Sequence, residues 1–206
     1  MKKLIFAVIL IFLTASWSFS SGLSANLNIN YNHGVSSFFD RSELQLTSSG
    51  LDFIESRQNR MGLGFTFSVN IPIYKRLYIV PGVSMNFGHQ QYAYTQVGAN
   101  GAGEDDTKNT YYFQLYSGEM SLLYDLLVLK NGWTVNLLLG LNYNSLKIDN
   151  ETLVENQKYL GMQTAVGAKF QQLKHLGFQF FAYYKMPFAA DLLAYVGAQG
   201  GISYNF

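Results

Sequence analysis

Five charged residues, Arg60, Glu119, Asp125, Lys169 and Lys185, stand inside otherwise uncharged alternating segments of this chain. In each segment the charge shares its parity with Gly, Ser, Thr, Asn and Gln rather than with the apolar residues. Charges of mixed sign in such positions can pair inside a polar interior, because a carboxylate or ammonium removed from water is costly until it finds a partner. Catalytic groupings are absent by contrast. The three histidines, His33, His89 and His175, lie far apart in sequence, and none stands in a His-x-Ser pairing or beside a second His for a metal. The chain has no Cys, which excludes disulfides and thiolate-bound metals. It has no P-loop and no G-x-S-x-G elbow. Gly62-x-Gly64 and Gly197-x-x-Gly200 fall within alternating runs and read as small packing residues. The acidic tip Gly101-Ala102-Gly103-Glu104-Asp105-Asp106 lacks the spaced acids and bidentate Glu of an EF-hand. The expectation is no metal, no cofactor and no enzyme.

The segments that must hold these charges number eight. They run through Ala25–Tyr31, Met61–Ile71, Leu77–Gly88, about 110–128, Trp133–Tyr143, Leu160–Phe170, Phe178–Tyr184 and a final strand that alternates from Leu192 to Phe206. In the first, Ala25, Leu27, Ile29 and Tyr31 alternate with Asn26, Asn28, Asn30 and Asn32; in the fourth, Phe113 and Leu115 intrude on the polar parity. A period of two is the mark of strands. Hydrophobic residues make up 49% of the chain and charged residues only 13%, about half the usual charged share. Apart from Leu4–Leu13, no apolar run approaches the length of a membrane helix, so the hydrophobicity is spread over alternating strands. A soluble barrel would turn its polar face to water and carry Lys and Glu there. Here that face is small and amide-rich, which suits a crowded lumen. The fold expected is all-β, an eight-stranded antiparallel up-and-down transmembrane β-barrel. A formal net charge of +1 argues against nucleic acid as a partner.

Connections alternate in length. Residues 33–57, 95–109 and 147–157 form long links on one side, with a short fourth at 187–191, and 72–76, 130–132 and 172–175 form tight turns on the other. Asn131-Gly132 is a favoured two-residue hairpin pair. The long links hold eleven acids, from Asp40 to Asp191, against the five bases Arg41, Arg57, Lys108, Lys147 and Lys158. The tight turns carry only Lys75, Arg76, Lys130 and Lys174. Aromatics gather at the two edges, as interfacial girdles require: Tyr74, Tyr78, Tyr124, Trp133, Phe178, Tyr204 and Phe206 at one, and Tyr31, Tyr92, Tyr94, Tyr112, Tyr143 and Tyr184 at the other. Within the first long link, Ser42–Thr47 alternates and Leu51–Arg57 can return as a strand, a hairpin whose edge a partner could pair with; a loop that packs its own side chains over the barrel mouth is the equal alternative. At the amino end, Met1-Lys2-Lys3, the apolar Leu4–Leu13 and the small residues after Thr14 read as a secretory signal peptide over 1–20, with cleavage between 18 and 25. The barrel domain is then 21–206.

The last eight residues close the pattern. Phe206 is aromatic, Tyr204 stands two before it, Gly201 five before and the polar Gln199 seven before. This resembles the C-terminal strand of bacterial outer-membrane β-barrels, which their assembly machinery recognises. With the strand count and the loop asymmetry, the mature chain resembles the small eight-stranded outer-membrane family of OmpX, OmpW and the OmpA membrane domain. The resemblance implies an exported barrel in the outer membrane, in contact with its lipid and delivered by the assembly machinery. Its role would be non-enzymatic: structural in the envelope, or binding a host or extracellular ligand through loops 33–57 and 95–109. A narrow conduit for small hydrophobic molecules, as for OmpW-like barrels, is the alternative, and a lipid-modifying enzyme a distant third. No peptidoglycan-binding domain is expected after Phe206. In the lumen, Arg60 or Lys185 is expected to reach Glu119, and Asp125 to pair with Lys169.

Overall fold

A chain whose side chains alternate between apolar and small polar can satisfy both only as strands, and strands are what it forms. The computed structural model describes residues 22–35, 40–46, 52–97, 103–148, 157–171, 173–189 and 193–206. Residues 1–21, which include the expected signal peptide, and the tips of the long connections lie outside the described residues. Nine strands run in order: β1 Ser24–Gly34, β2 Asp40–Leu46, β3 Asp52–Tyr74, β4 Leu77–Val97, β5 Gly103–Val128, β6 Trp133–Ile148, β7 Gln157–Gln171, β8 Leu176–Pro187 and β9 Tyr195–Asn205. β1 pairs antiparallel with β9 on one side and with β3 on the other. β1 and β3 to β9 therefore close into the expected eight-stranded barrel, and β2 is an appendage paired with β3. Closure gives each wall strand two partners, as hydrocarbon demands, since no water is available there to satisfy an open edge.

The outward side chains form a belt. Its rows run from Leu77 to Phe87 on β4, Trp133 to Tyr143 on β6, Leu160 to Phe170 on β7 and Leu176 to Met186 on β8, eleven residues each. At ~3.4 Å per residue and a tilt of ~45°, eleven residues rise about 24 Å, the height of a lipid-facing band. Leu141, Leu160 and Phe180 are 57–59% exposed, a pattern that fits hydrocarbon and not water. Trp133 stacks on Phe170 at 4.8 Å and Tyr204 meets Phe206 edge-on at 5.2 Å, both at the edge bearing the tight turns. Three girdle assignments need correction. Tyr78 faces the lumen, because it shares parity with Gly82 and Ser84, and its hydroxyl donates to Asp125. Tyr92 and Tyr94 lie further along β4 than Phe87, beyond the belt.

Three other expectations are revised by local geometry. The Asn131-Gly132 link is wider than a two-residue hairpin: Gly132 N–H donates to Leu129 O at 3.2 Å and Leu129 N–H to Trp133 O at 2.8 Å. Gly132 sits at φ +86°, which a side chain would oppose, and an added Cβ would come within 2.9 Å of Gln171 O. The final strand starts at Tyr195, and Leu193, Ala194 and Tyr195 are buried at the barrel mouth. The strand expected from about residue 110 begins at Gly103 instead.

The most consequential revision is a β-bulge. Met61 lies opposite Gly88, yet Gly64 lies opposite Asn86, so β3 holds one residue more than β4 across this step. An inserted residue reverses the faces beyond it. Leu63, Phe65 and Phe67 point outward, whereas Met61 turns inward and is 7% exposed. Arg60 then shares the outer face with its register partner His89, and is exposed. Its expected place in the lumen is therefore lost. The chain has no native Cys, so single cysteines report the reversal cleanly. A membrane-impermeant maleimide should label Arg60→Cys rapidly and spare Met61→Cys; the opposite order would mean the bulge is absent.

Candidate functional site

The lumen is where the charged residues meet. Lys185 Nζ of β8 pairs with Glu119 Oε1 of β5, with the two side chains 8% and 10% exposed. Ser84 Oγ of β4 donates to the same carboxylate at 2.7 Å, and Gln163 Nε2 of β7 donates to Oε2 at 3.2 Å and to Ser121 Oγ at 2.6 Å. Lys185 Nζ also lies 5.4 Å and 5.8 Å from the ring centres of Tyr183 and Tyr195, near enough for the π faces to assist a buried cation. Of the two cations expected to approach Glu119, Lys185 arrives and Arg60 does not. A strand charge in the lumen thus gains partners from other strands of the wall, which is what offsets its desolvation.

Asp125 and Lys169 do not form a direct ion pair. Asp125 accepts from Asn136 Nδ2 at 2.5 Å and from Tyr78 OH at 3.3 Å, while Lys169 Nζ donates to Asn205 Oδ1 at 3.0 Å. Both line a vestibule of about 300 Å³ at the tight-turn end of the barrel, together with Asn136, Lys174 and Asn205.

The asparagines of β1 stitch the interior together. Asn26 donates to Asn70 Oδ1 at 3.1 Å, Asn30 to Thr66 Oγ1 at 2.7 Å and Asn32 to Asn86 Oδ1 at 2.9 Å, and Asn28 accepts from Gln179 at 2.8 Å. Tyr183 OH closes the set on Asn32 Oδ1. Toward the other mouth the filling turns apolar: Met61, Phe113, Leu115, Leu146, Tyr159, Leu193 and Tyr195 form one buried cluster. The bulky members fit because glycines face them. A Cβ at Gly88, Gly167 or Gly197 would collide with the ring of Phe113, Phe181 or Tyr183 respectively.

The second candidate region stands beyond the belt. β3, β4 and β5 continue past the line of Phe87 as Asp52–Arg60, His89–Val97 and Gly103–Tyr112, nine, nine and ten residues. Nine residues add about 20 Å at the strand rise and a barrel tilt. β2 pairs along Asp40–Leu46 with Asp52–Gln58 and makes a fourth strand. Among the described residues, the other edge of β2 has no strand beside it, and β6 joins β5 only from Phe113. Where the sequence suggests loops with one possible hairpin, the described parts of the first two long connections form one projecting sheet.

The C-terminal signature is placed on two faces. Gln199 and Gly201 point inward, Tyr204 and Phe206 outward. Gly201 admits Leu27 O and the Asn28 side-chain amide, both of which an added Cβ would strike. The histidines remain apart, on β1, on β4 and in the turn before β8, where His175 Nδ1 meets Asn205 O at 2.9 Å. Among the described residues no group of three or more acids and histidines is placed to hold a metal. Sequence reasoning misses Ser84 and Gln163 as partners of Glu119; their place on the lumen parity is the available signal. It also places Lys147 and Lys158 in the outer loops, whereas they lie within β6 and β7.

No family model matches the sequence, and no curated protein matches it either. Solved structures do. Neisserial surface protein A aligns at a TM-score of 0.53 and 14% identity, covering 90% of this chain and 98% of that one. Ail of Yersinia pestis, solved with the heparin analogue sucrose octasulfate, aligns at 0.48 and 12% identity, covering 89% and 99%. OprG from Pseudomonas aeruginosa aligns at 0.48 and 14%, covering 89% and 95%. At such identities the likeness is one of fold. This chain is an eight-stranded antiparallel barrel of the kind found in small bacterial outer-membrane proteins.

Proposed function

We propose that this protein is an exported, non-catalytic barrel of the outer membrane whose work is done by the sheet it holds above the lipid. The observation that carries the reading is strand length. β3, β4 and β5 run 23, 21 and 26 residues, where about 9–11 suffice to cross a bilayer. The excess is ordered as a four-stranded sheet with free edges among the described residues, and a free edge offers backbone donors and acceptors for strand addition by a partner. This sheet carries seven acids, Asp40, Glu43, Asp52, Glu55, Glu104, Asp105 and Asp106, against four bases, Arg41, Arg57, Lys108 and, at its foot, Arg60. The partner it suits is an extracellular or host protein with a basic surface. In cells expressing the protein, adhesion to a host-cell layer should exceed that of cells without it. A proline in β2, placed in turn at Ser42 and Glu43 so that one of them meets the free edge, should lower it while leaving the barrel folded. Adhesion that ignores both expression and the prolines would sink this reading.

Conduction through the lumen is disfavoured by how the lumen is filled. An eight-stranded interior is just wide enough for side chains to fill it, and here the Glu119–Lys185 pair lies below a buried apolar layer. Replacing Glu119 by Gln leaves Lys185 buried without its counter-charge, at a cost of about 3–5 kcal/mol. The Glu119→Gln protein should unfold at markedly lower temperature and still pass little current in planar bilayers. Large currents through the unmodified protein would favour the hydrophobic-molecule conduit instead.

Delivery to the membrane is proposed to depend on the terminal strand. Its outward Tyr204 and Phe206, with Gln199 and Gly201 on the opposite face, give the assembly machinery a pattern to read. Deleting Phe206 should reduce outer-membrane yield and leave protein in the periplasm. Unchanged surface levels would remove that role from the signature.

A further inference from the structure

Immediately above the belt the outward rows change chemistry. The residues there are Arg60 on β3, His89 on β4, Gln114 on β5, Lys147 on β6 and Lys158 on β7. Arg60, Lys147 and Lys158 are exposed, and among the described residues none of them has an ion-pair partner. The acids set in the barrel wall, Glu119 and Asp125, both face the lumen, so no described acid on the wall's outer face neutralises these cations.

Two of them are neighbours. The register sets Lys158 opposite Ser145, and Lys147 opposite Gln114. Lys147 is two residues along β6 from Ser145, so Lys147 and Lys158 are diagonal neighbours on one face, with backbones roughly 7–8 Å apart. Like charges so placed repel. One step toward the membrane, Tyr143 lies opposite Leu160, both exposed at 50% and 57%. A pair of unopposed ammonium groups thus sits directly over an apolar shelf, at the height of the lipid headgroups.

We propose that Lys147 and Lys158 jointly grip the phosphate of a lipid headgroup in the leaflet on the projecting-sheet side, with the acyl chains descending over Tyr143 and Leu160. A phosphate oxyanion can accept from both ammonium groups at once and removes their mutual repulsion. Lysine serves such a group as a point charge that needs no fixed fork geometry. Gln114, whose Oε1 accepts from Tyr116 OH at 2.5 Å, can turn its amide N–H₂ to the same phosphate. Arg60 beside His89 extends the basic line around the barrel. The inference rests on the barrel spanning a bilayer and not on what the projecting sheet binds.

The test is made on the full chain refolded into phosphatidylcholine vesicles containing a minor share of phosphatidic acid, with co-purifying lipid read by native mass spectrometry. Heat-dependent migration on a gel checks folding and insertion separately. Wild type should retain phosphatidic acid over phosphatidylcholine by roughly tenfold, as two basic residues near a membrane surface allow. Lys147→Gln/Lys158→Gln should bring that ratio close to one. Lys147→Arg/Lys158→Arg should keep it, and Lys158→Gln alone should fall between. No enrichment by the wild type, equal enrichment by the double Gln variant, or loss in the double Arg variant would each overturn the proposal.

Discussion

Everything inside this barrel answers to one constraint: eight closed strands leave an interior the width of side chains, and a charge placed there must find its partners among the other lumen side chains. The chain meets this in layers. The Glu119–Lys185 ion pair is held by donors from β4 and β7, an asparagine ladder on β1 reaches β3, β4 and β8, and an apolar plug closes one mouth. Small residues on one strand face large ones on the next, so that Gly88, Gly167 and Gly197 give room to Phe113, Phe181 and Tyr183. Several ladder amides are satisfied at one end only, with Asn26 Oδ1, Asn28 Nδ2, Asn30 Oδ1 and Asn86 Nδ2 buried and unpartnered among the described residues, whereas the Glu119 carboxylate accepts from Ser84, Gln163 and Lys185. This is why a protein with so few wall charges tolerates Glu119 at all.

Much of this architecture is legible in the sequence because a strand writes its two faces into alternate positions. The apolar rows of β4, β6, β7 and β8, the inward asparagines and the lumen setting of Glu119 and Lys185 all follow from parity alone. Parity fails where the backbone count slips. Nothing in the run Arg60-Met61-Gly62-Leu63-Gly64 declares which residue is the extra one, although two glycines in a strand are a warning that a bulge is near. Once the slip is made, Arg60 and Met61 exchange faces. Tyr78 is a different kind of miss, since its parity already sets it in the lumen and nearness to an edge is the weaker guide.

The projecting sheet is only half legible. Alternation in Ser42–Thr47 and Leu51–Arg57 suggests a hairpin, but charges break the apolar pattern in Glu55, Arg57 and Glu104–Asp106, and a charged stretch reads as loop. In water both faces of a sheet can be polar, so hydrophobic period carries no information about strands that have left the membrane. The pairing of β3 with β4 and of β4 with β5 simply continues from the wall beneath. These strands inherit their register from below instead of specifying it themselves.

The joining of β1 to β9 sets Ser24 beside Asn205, and it bears on how the barrel comes into being. Two hydrogen bonds of the interior, from Gln179 to Asn28 and from Tyr183 to Asn32, each bridge 151 positions of sequence. Contacts so distant give no return until the intervening chain has been ordered, and the entropy of bringing such ends together must be met first. The amides of β1 have no native β8 partners in any partly assembled curl of strands. Closing the seam and completing these interior bonds therefore go together, and a chain short of that point would present two raw sheet edges and an unsealed polar trough. Open edges of that kind are costly in hydrocarbon and invite pairing with other chains in water, so the seam between the first and last strands is also what keeps one copy of the chain from joining another.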